Sequence, residues 1–481
     1  MLFNSLSFAI FLPIVFILYW LLPHRFRWVL LLIASYYFYM SWNIKYVVLI
    51  LATTVVSYVT AILLERTENL HSKKLYLAIA ATISLGILFF FKYFNFFQEN
   101  VIALFNQFAI QLHPTTLNLL LPVGISFYTF QTMSYVIDVY KGAVPAEHHF
   151  GKYATFISFF PQLVAGPIER TSNLLPQINA EHHFDYDKAA YGMKLMTWGF
   201  FKKLVIADVL AAYVDKIYDA PSKFYGFPLV LATFFFAFQI YCDFSGYSDI
   251  AIGCAKLLDI DLMQNFRSPY FSSSIKEFWS RWHISLSTWF KDYVYIPLGG
   301  NRRGKFRTNL NLITTFLVSG LWHGANWTFV IWGGIHGALQ IVEKSLFRKK
   351  ETKRFTFTWI LRVLIVFLLC CFAWIFFRAN TLRDAYLVIT HLFTGIEHPI
   401  SYFIDGIYAT YGMNVSKATI ISSLLPILVL ALYDFFSLKT DVIQWISSKH
   451  LVIRYGVYMA MLLYIMLFKA SGEASFVYFQ F

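Results

Sequence analysis

The chain has 481 residues, of which 58% are hydrophobic and 20% aromatic, while Asp, Glu, Lys and Arg together make up only 14%. Soluble domains carry about 25% charged residues, so a water-soluble globular protein is excluded, as are disordered, collagen-like and coiled-coil chains. The net charge of +13 is spread over short basic runs between apolar stretches, at 24–27, 73–74, 202–203, 302–307 and 348–354. That is the distribution of loops flanking membrane helices, and it excludes a nucleic-acid-binding face. Cys242, Cys254, Cys370 and Cys371 lie in or beside apolar runs without C-x-x-C spacing, which suggests neither a disulfide framework nor a metal site.

Apolar runs approaching the ~30 Å of a bilayer core occupy residues 6–22, 28–42, 46–64, 75–91 and 117–137, then 226–242, 325–342, 357–377, 419–433 and 451–468. The pattern predicts an all-α polytopic membrane protein with about ten to twelve crossings. No Lys or Arg precedes the first run and no small-residue cleavage site follows it, so it reads as a retained span. Arg25 and Arg27 place the end of the first span inside, and Lys439, Lys449 and Arg454 the start of the last, so both termini are expected outside. Shorter apolar pieces at 153–164, 195–205, 250–258 and 310–321 reach only part-way across at ~1.5 Å per residue. They are expected as re-entrant segments around an internal cavity. Without repeats or long linkers, residues 1–481 read as one membrane domain.

The polar motifs follow in chain order. Tyr241 to Asp249 holds Asp243 and Asp249 around Gly246 at the end of an apolar run, and reads either as a capped turn between two helices or as carboxylates that orient a histidine. Ser274 and Glu277 have capping-box spacing. The helix they start is expected to run to Tyr293 in the interface, with Phe278, Trp282, Leu286 and Trp289 on one face and Lys276 and Arg281 opposite. His283 falls on the edge of its apolar face, and an interfacial histidine with a plain hydrogen bond is the simpler reading. Pro297, Gly299 and Gly300 stop the helix, and Asn301, Arg302 and Arg303 open a cationic loop suited to phosphates or to setting topology. From Thr308 the chain turns apolar and reaches His323 in Trp322-His323-Gly324-Ala325-Asn326. An ionisable side chain at membrane depth is a functional candidate; a buried structural histidine is the alternative. His336 lies among glycines further on and is evenly balanced between the two. No G-x-S-x-G elbow is present.

The run Lys276 to His283, its continuation through Tyr295 to Arg302, and Gly320 to Gly324 closely resemble the membrane-bound O-acyltransferase superfamily, nearest to the bacterial branch that acylates exported polysaccharides. Tyr241 to Asp249, Phe159 to Ile168 and the terminal Phe476 to Phe481 strengthen the match, which covers nearly the whole chain in order. The resemblance implies a ring of helices, with re-entrant and interfacial segments, around a thinned centre where funnels from both faces meet. It implies that His323 and His283 are catalytic, supported by Asp243, Trp322, Asn326 and His336. The core carrying both histidine motifs is placed at 141–350, between N-terminal helices 1–140 and C-terminal helices 351–481. The donor is expected to be acetyl-CoA, with phosphates on Lys276, Arg281, Asn301, Arg302 and Arg303, and with no bound cofactor or metal. The location is expected to be the bacterial inner membrane, and the partner a periplasmic hydrolase-like acetyltransferase that finishes transfer to sugar. Alginate, peptidoglycan and cellulose acetylation are not separated by these motifs, and a non-enzymatic membrane transporter or export component is the alternative from another class. Tyr478, after Ala470-Ser471-Gly472, reads either as an acyl relay or as part of an aromatic belt.

Overall fold

The computed structural model describes residues 1–114, 121–164, 166–346, 354–403 and 417–469. Among these residues every regular element is a helix. Five helices, Ile44–Arg66, Leu70–Asn106, Phe227–Leu257, Phe357–Arg378 and Leu451–Phe468, are long and apolar enough to cross a membrane, and shorter apolar helices lie at Leu6–Leu21 and Ser423–Ser437. The protein is an all-α polytopic membrane protein. Two compact units divide it: Met1–Met196 with Ile250–Met263, and Thr197–Asp249 with Gln264–Phe481.

The first unit contains α1 (Leu6–Leu21), α2 (His24–Met40), α3 (Val47–Arg66), α4 (Leu70–Leu88), α5 (Phe94–Asn106), α6 (Ile125–Tyr140), α7 (Phe150–Ser158), α8 (Phe160–Leu163) and α9 (Thr171–Asn179). Helix α3 buries Thr53, Thr54, Ser57 and Thr60, small residues that admit close neighbours. The hydroxyls of Thr53, Thr54 and Ser57 return to the helix's own carbonyls, as Ser57 does to Thr53 at 2.7 Å, while Tyr153 of α7 donates to Ser57 Oγ at 2.6 Å. The apolar piece at 153–164 forms α7 and α8, broken at Phe159.

The chain continues through α10 (Tyr186–Phe200), a π-helical run at Phe201–Ala207, α11 (Asp208–Tyr218), α12 (Phe227–Leu257), α13 (Ile275–Arg281) and α14 (Ile284–Phe290). Next come α15 (Gly304–His323), α16 (Trp327–Leu346), α17 (Phe357–Arg378), α18 (Leu382–His391), α19 (Lys417–Ser437), α20 (Val442–Ser447) and α21 (Leu451–Phe468). Here the sequence expectations need correction. Residues 250–258 are no separate half-helix but the end of the 31-residue α12, and residues 310–321 lie inside the 20-residue α15. The Tyr241 to Asp249 cluster is not a turn either, because it lies in the middle of α12.

What keeps α12 helical across two carboxylates is a pair of lysines from the preceding π-helical run. Lys203 Nζ lies 2.6 Å from Asp243 and 2.8 Å from Asp208, and Lys202 Nζ lies 2.7 Å from Asp249 and 2.9 Å from Ser245 Oγ. The lysines reach α12 because Gly246 lets the backbones meet: a Cβ there would stand 2.8 Å from the Gly199 carbonyl oxygen and 3.2 Å from Lys203 N.

Helices α15 and α16 form an antiparallel hairpin closed by a second glycine pair. A Cβ on Gly320 would strike the Phe329 carbonyl, and one on Gly333 the Phe316 carbonyl. Gly320→Ala must therefore part the two backbones, and it is expected to cost about 1–3 kcal/mol or more, read as a lower thermal midpoint in detergent. Gly334→Ala is the tolerated control, since its Cβ would meet only Leu317 Cδ2 at 3.4 Å.

Candidate active site

His323 is the last residue of α15, so at ~1.5 Å per residue it stands about 28 Å from Gly304 at the basic end. It is buried, and its ring is met edge-on by Trp322, Trp332 and Phe377 at centroid distances of 5.0, 5.0 and 5.3 Å. The next residue, Gly324, lines a cavity of about 520 Å³ together with Asp215, Asp219, Asn326, Phe329, Arg378 and Asn380. A buried imidazole thus lies one residue from a polar chamber. Arg378 is held by Asp215 at 2.8 Å and Asp219 at 3.1 Å. Asn326 caps α16 by accepting from Thr328 N at 3.0 Å and donates to the Asn380 carbonyl at 2.8 Å. Asp215 and Arg378 belong to α11 and α17, Asp219 and Asn380 lie just beyond the ends of those helices, and nothing in their local sequence pattern sets them apart.

His283 is not on an interfacial helix. The expected helix to Tyr293 breaks at Trp282, and His283 takes a left-handed conformation, φ 43° and ψ 56°, between α13 and α14. Such a conformation is uncommon away from glycine and is often found at functional positions. Ser274 Oγ does cap α13 by accepting from Glu277 N, but Glu277 reaches back to Ser273 and not to Ser274 N. The His283 ring is fully buried and packs edge-on against Phe244 at 4.5 Å and Trp322 at 6.2 Å. Burial holds the imidazole well below its ordinary range, at about 3, so it is neutral at working pH. Trp322 touches both His283 and His323.

His336 is also fully buried, and its Nδ1 accepts from Trp279 Nε1 at 3.3 Å, which places its proton on Nε2. Asp243 is engaged by Lys203. The five residues expected to hold donor phosphates fall on two elements. On α13, Lys276 is exposed, whereas Arg281 is paired with Glu277 at 2.7 Å. Asn301, Arg302 and Arg303 are exposed on a turn shaped by Gly299 and Gly300, both at positive φ, and Asn311 donates to the Gly300 carbonyl at 3.0 Å. Tyr478 lies outside the described residues.

Residues 143–382 match the membrane-bound O-acyltransferase family model. A probable alginate O-acetylase of Azotobacter vinelandii is 42% identical over 82% of this chain and 78% of its own length. One from Pseudomonas putida is 37% identical over the whole of both chains, and a peptidoglycan O-acetyltransferase of Helicobacter pylori is 37% identical over 81% of this chain and 79% of its own. With both histidine motifs inside the matched region, the chain is an O-acyltransferase and belongs to the membrane-bound O-acyltransferase family.

Proposed function

We propose that this protein takes acetyl from a cytosolic thioester, acetyl-CoA, and delivers it across the bacterial inner membrane for O-acetylation of an exported polysaccharide. One observation carries the reading: a single helix, α15, bears exposed cations at its start and a buried histidine beside a polar cavity at its end. Arg302 and Arg303 suit the phosphates of the donor, and the cavity suits a hydroxyl acceptor. In the transfer, His323 takes the proton of the acceptor hydroxyl and the oxygen bonds to the acetyl carbon. The carbon–sulfur bond breaks, and the leaving thiolate recovers the proton from the imidazolium. A periplasmic hydrolase-like acetyltransferase then places the group on sugar. Alginate is the acceptor polymer favoured by the relatives' names, with peptidoglycan the second reading because of the Helicobacter pylori relative.

The test is thiol release and acetyl transfer by the purified protein in lipid vesicles supplied with acetyl-CoA or with a long-chain acyl-CoA. Preference for the long chain, or no release at all, would overturn the reading. Arg302→Ala with Arg303→Ala is expected to raise the KM for acetyl-CoA about tenfold while leaving kcat close to wild type. An unchanged KM with inverted topology would show that the loop serves orientation instead.

A further inference from the structure

Asn265 sits in the segment between α12 and α13, and its side chain and carbonyl both engage residues 283–285. Its carbonyl accepts from Ile284 N at 2.9 Å. Its side-chain oxygen accepts from Ser285 N at 3.2 Å and Ser285 Oγ at 2.9 Å, and lies 3.1 Å from His283 Nδ1. Its amide nitrogen donates to Ser248 Oγ of α12 at 3.3 Å. The backbone N–H of Ser285 can only donate, so the atom it meets must be the oxygen of the amide. The orientation of Asn265 is thereby fixed, and His283 Nδ1, facing that oxygen, must carry the proton.

We propose that Asn265 is a positioning residue for acyl transfer, holding His283 in its left-handed conformation with the proton on Nδ1 and leaving Nε2 as the ring's hydrogen-bond-accepting nitrogen. The inference rests on the acyl-transfer reading above and adds to it which nitrogen of His283 accepts a hydrogen bond and what decides it. Two features argue for more than a packing role. Asn265 is itself fully buried, and a buried amide that meets a histidine, a hydroxyl and a backbone N–H with one oxygen is specific to that turn. The backbone of His283 is also held away from its preferred region, which the surrounding contacts must enforce.

The elements around His283 limit what else titrates against it. Helix α12 carries Asp243 and Asp249, tied to Lys203 and Lys202. Helix α13 carries Lys276 and the Glu277–Arg281 pair, and α15 carries His323. A carboxylate at position 265 would face His283 Nδ1 as the amide oxygen does.

The experiment measures kcat and KM for acetyl-CoA with the full-length protein in lipid vesicles, with wild type and His323→Ala as limits. Asn265→Ala frees the imidazole to change tautomer and is expected to lower kcat about tenfold or more, with KM nearly unchanged. Asn265→Asp keeps the oxygen acceptor that Nδ1–H requires. It is expected to recover kcat above that of Asn265→Ala, again with KM nearly unchanged. A wild-type kcat in Asn265→Ala, or an Asn265→Asp kcat no higher than that of Asn265→Ala, overturns the proposal. If Asn265→Ala fails to accumulate, Asn265→Asp decides, and a kcat as low as that of His323→Ala overturns the proposal. A wild-type protein without transferase activity refutes the acyl-transfer reading, and this inference with it, whereas an active wild type with unaffected variants refutes the positioning role alone.

Discussion

His323→Ala is expected to lower acyl transfer by about 10²–10⁴-fold, the range supplied by a positioned general base. The fold should survive, because the α15–α16 hairpin is closed by Gly320 and Gly333 along its length and not by the imidazole at its tip. The hole left among Trp322, Trp332 and Phe377 costs packing, so His323→Gln serves beside it: it fills much of the space and cannot act as a base near neutral pH. Thiol release from acetyl-CoA is the readout, with elution of the detergent-solubilised protein reporting integrity. Release at the wild-type rate from either folded variant would remove His323 from the chemistry.

Lys203→Met should produce the largest loss of stability. Lys203 is the shared cation between Asp243 and Asp208, and the three side chains are about 1–2% exposed. Methionine keeps the length of the side chain and removes the charge, leaving two buried carboxylates facing one another. Breaking a buried ion pair on one side costs about 3–5 kcal/mol. The thermal midpoint in detergent should fall sharply, and Lys203→Met combined with Asp243→Asn should recover part of the loss, because one of the stranded charges is then gone. A single variant as stable as wild type would mean that water, and not Lys203, compensates the two carboxylates.

Much of this architecture is legible in the sequence. Low charge, long apolar runs and scattered basic loops define an all-α membrane protein, and the flanks of His323 and His283 carry the family likeness. Sequence and structure part where a local signal competes with a distant partner. Asp243 and Asp249 look like the end of a span, since lone carboxylates are costly at membrane depth, yet α12 runs on because Lys202 and Lys203, some forty residues earlier, neutralise them. The apolar spacing of 278–289 fits one continuous helix, and periodicity carries no sign of the break at Trp282 and His283. That break depends on Asn265 gripping residues 283–285, a contact between segments that no local pattern records. The cavity beside Gly324 is hidden for the same reason, because its polar walls come from the C-terminal ends of α11 and α17 and from the loop before α16.

The glycine contact between α15 and α16 has a thermodynamic consequence for the reaction. Where two backbones interlock this closely, the side chain at the end of one of them gains almost no freedom from helix motion. The orientational entropy that a reactive histidine must lose before it meets an incoming hydroxyl is thus already lost when the chain folds, instead of being lost again in every turnover.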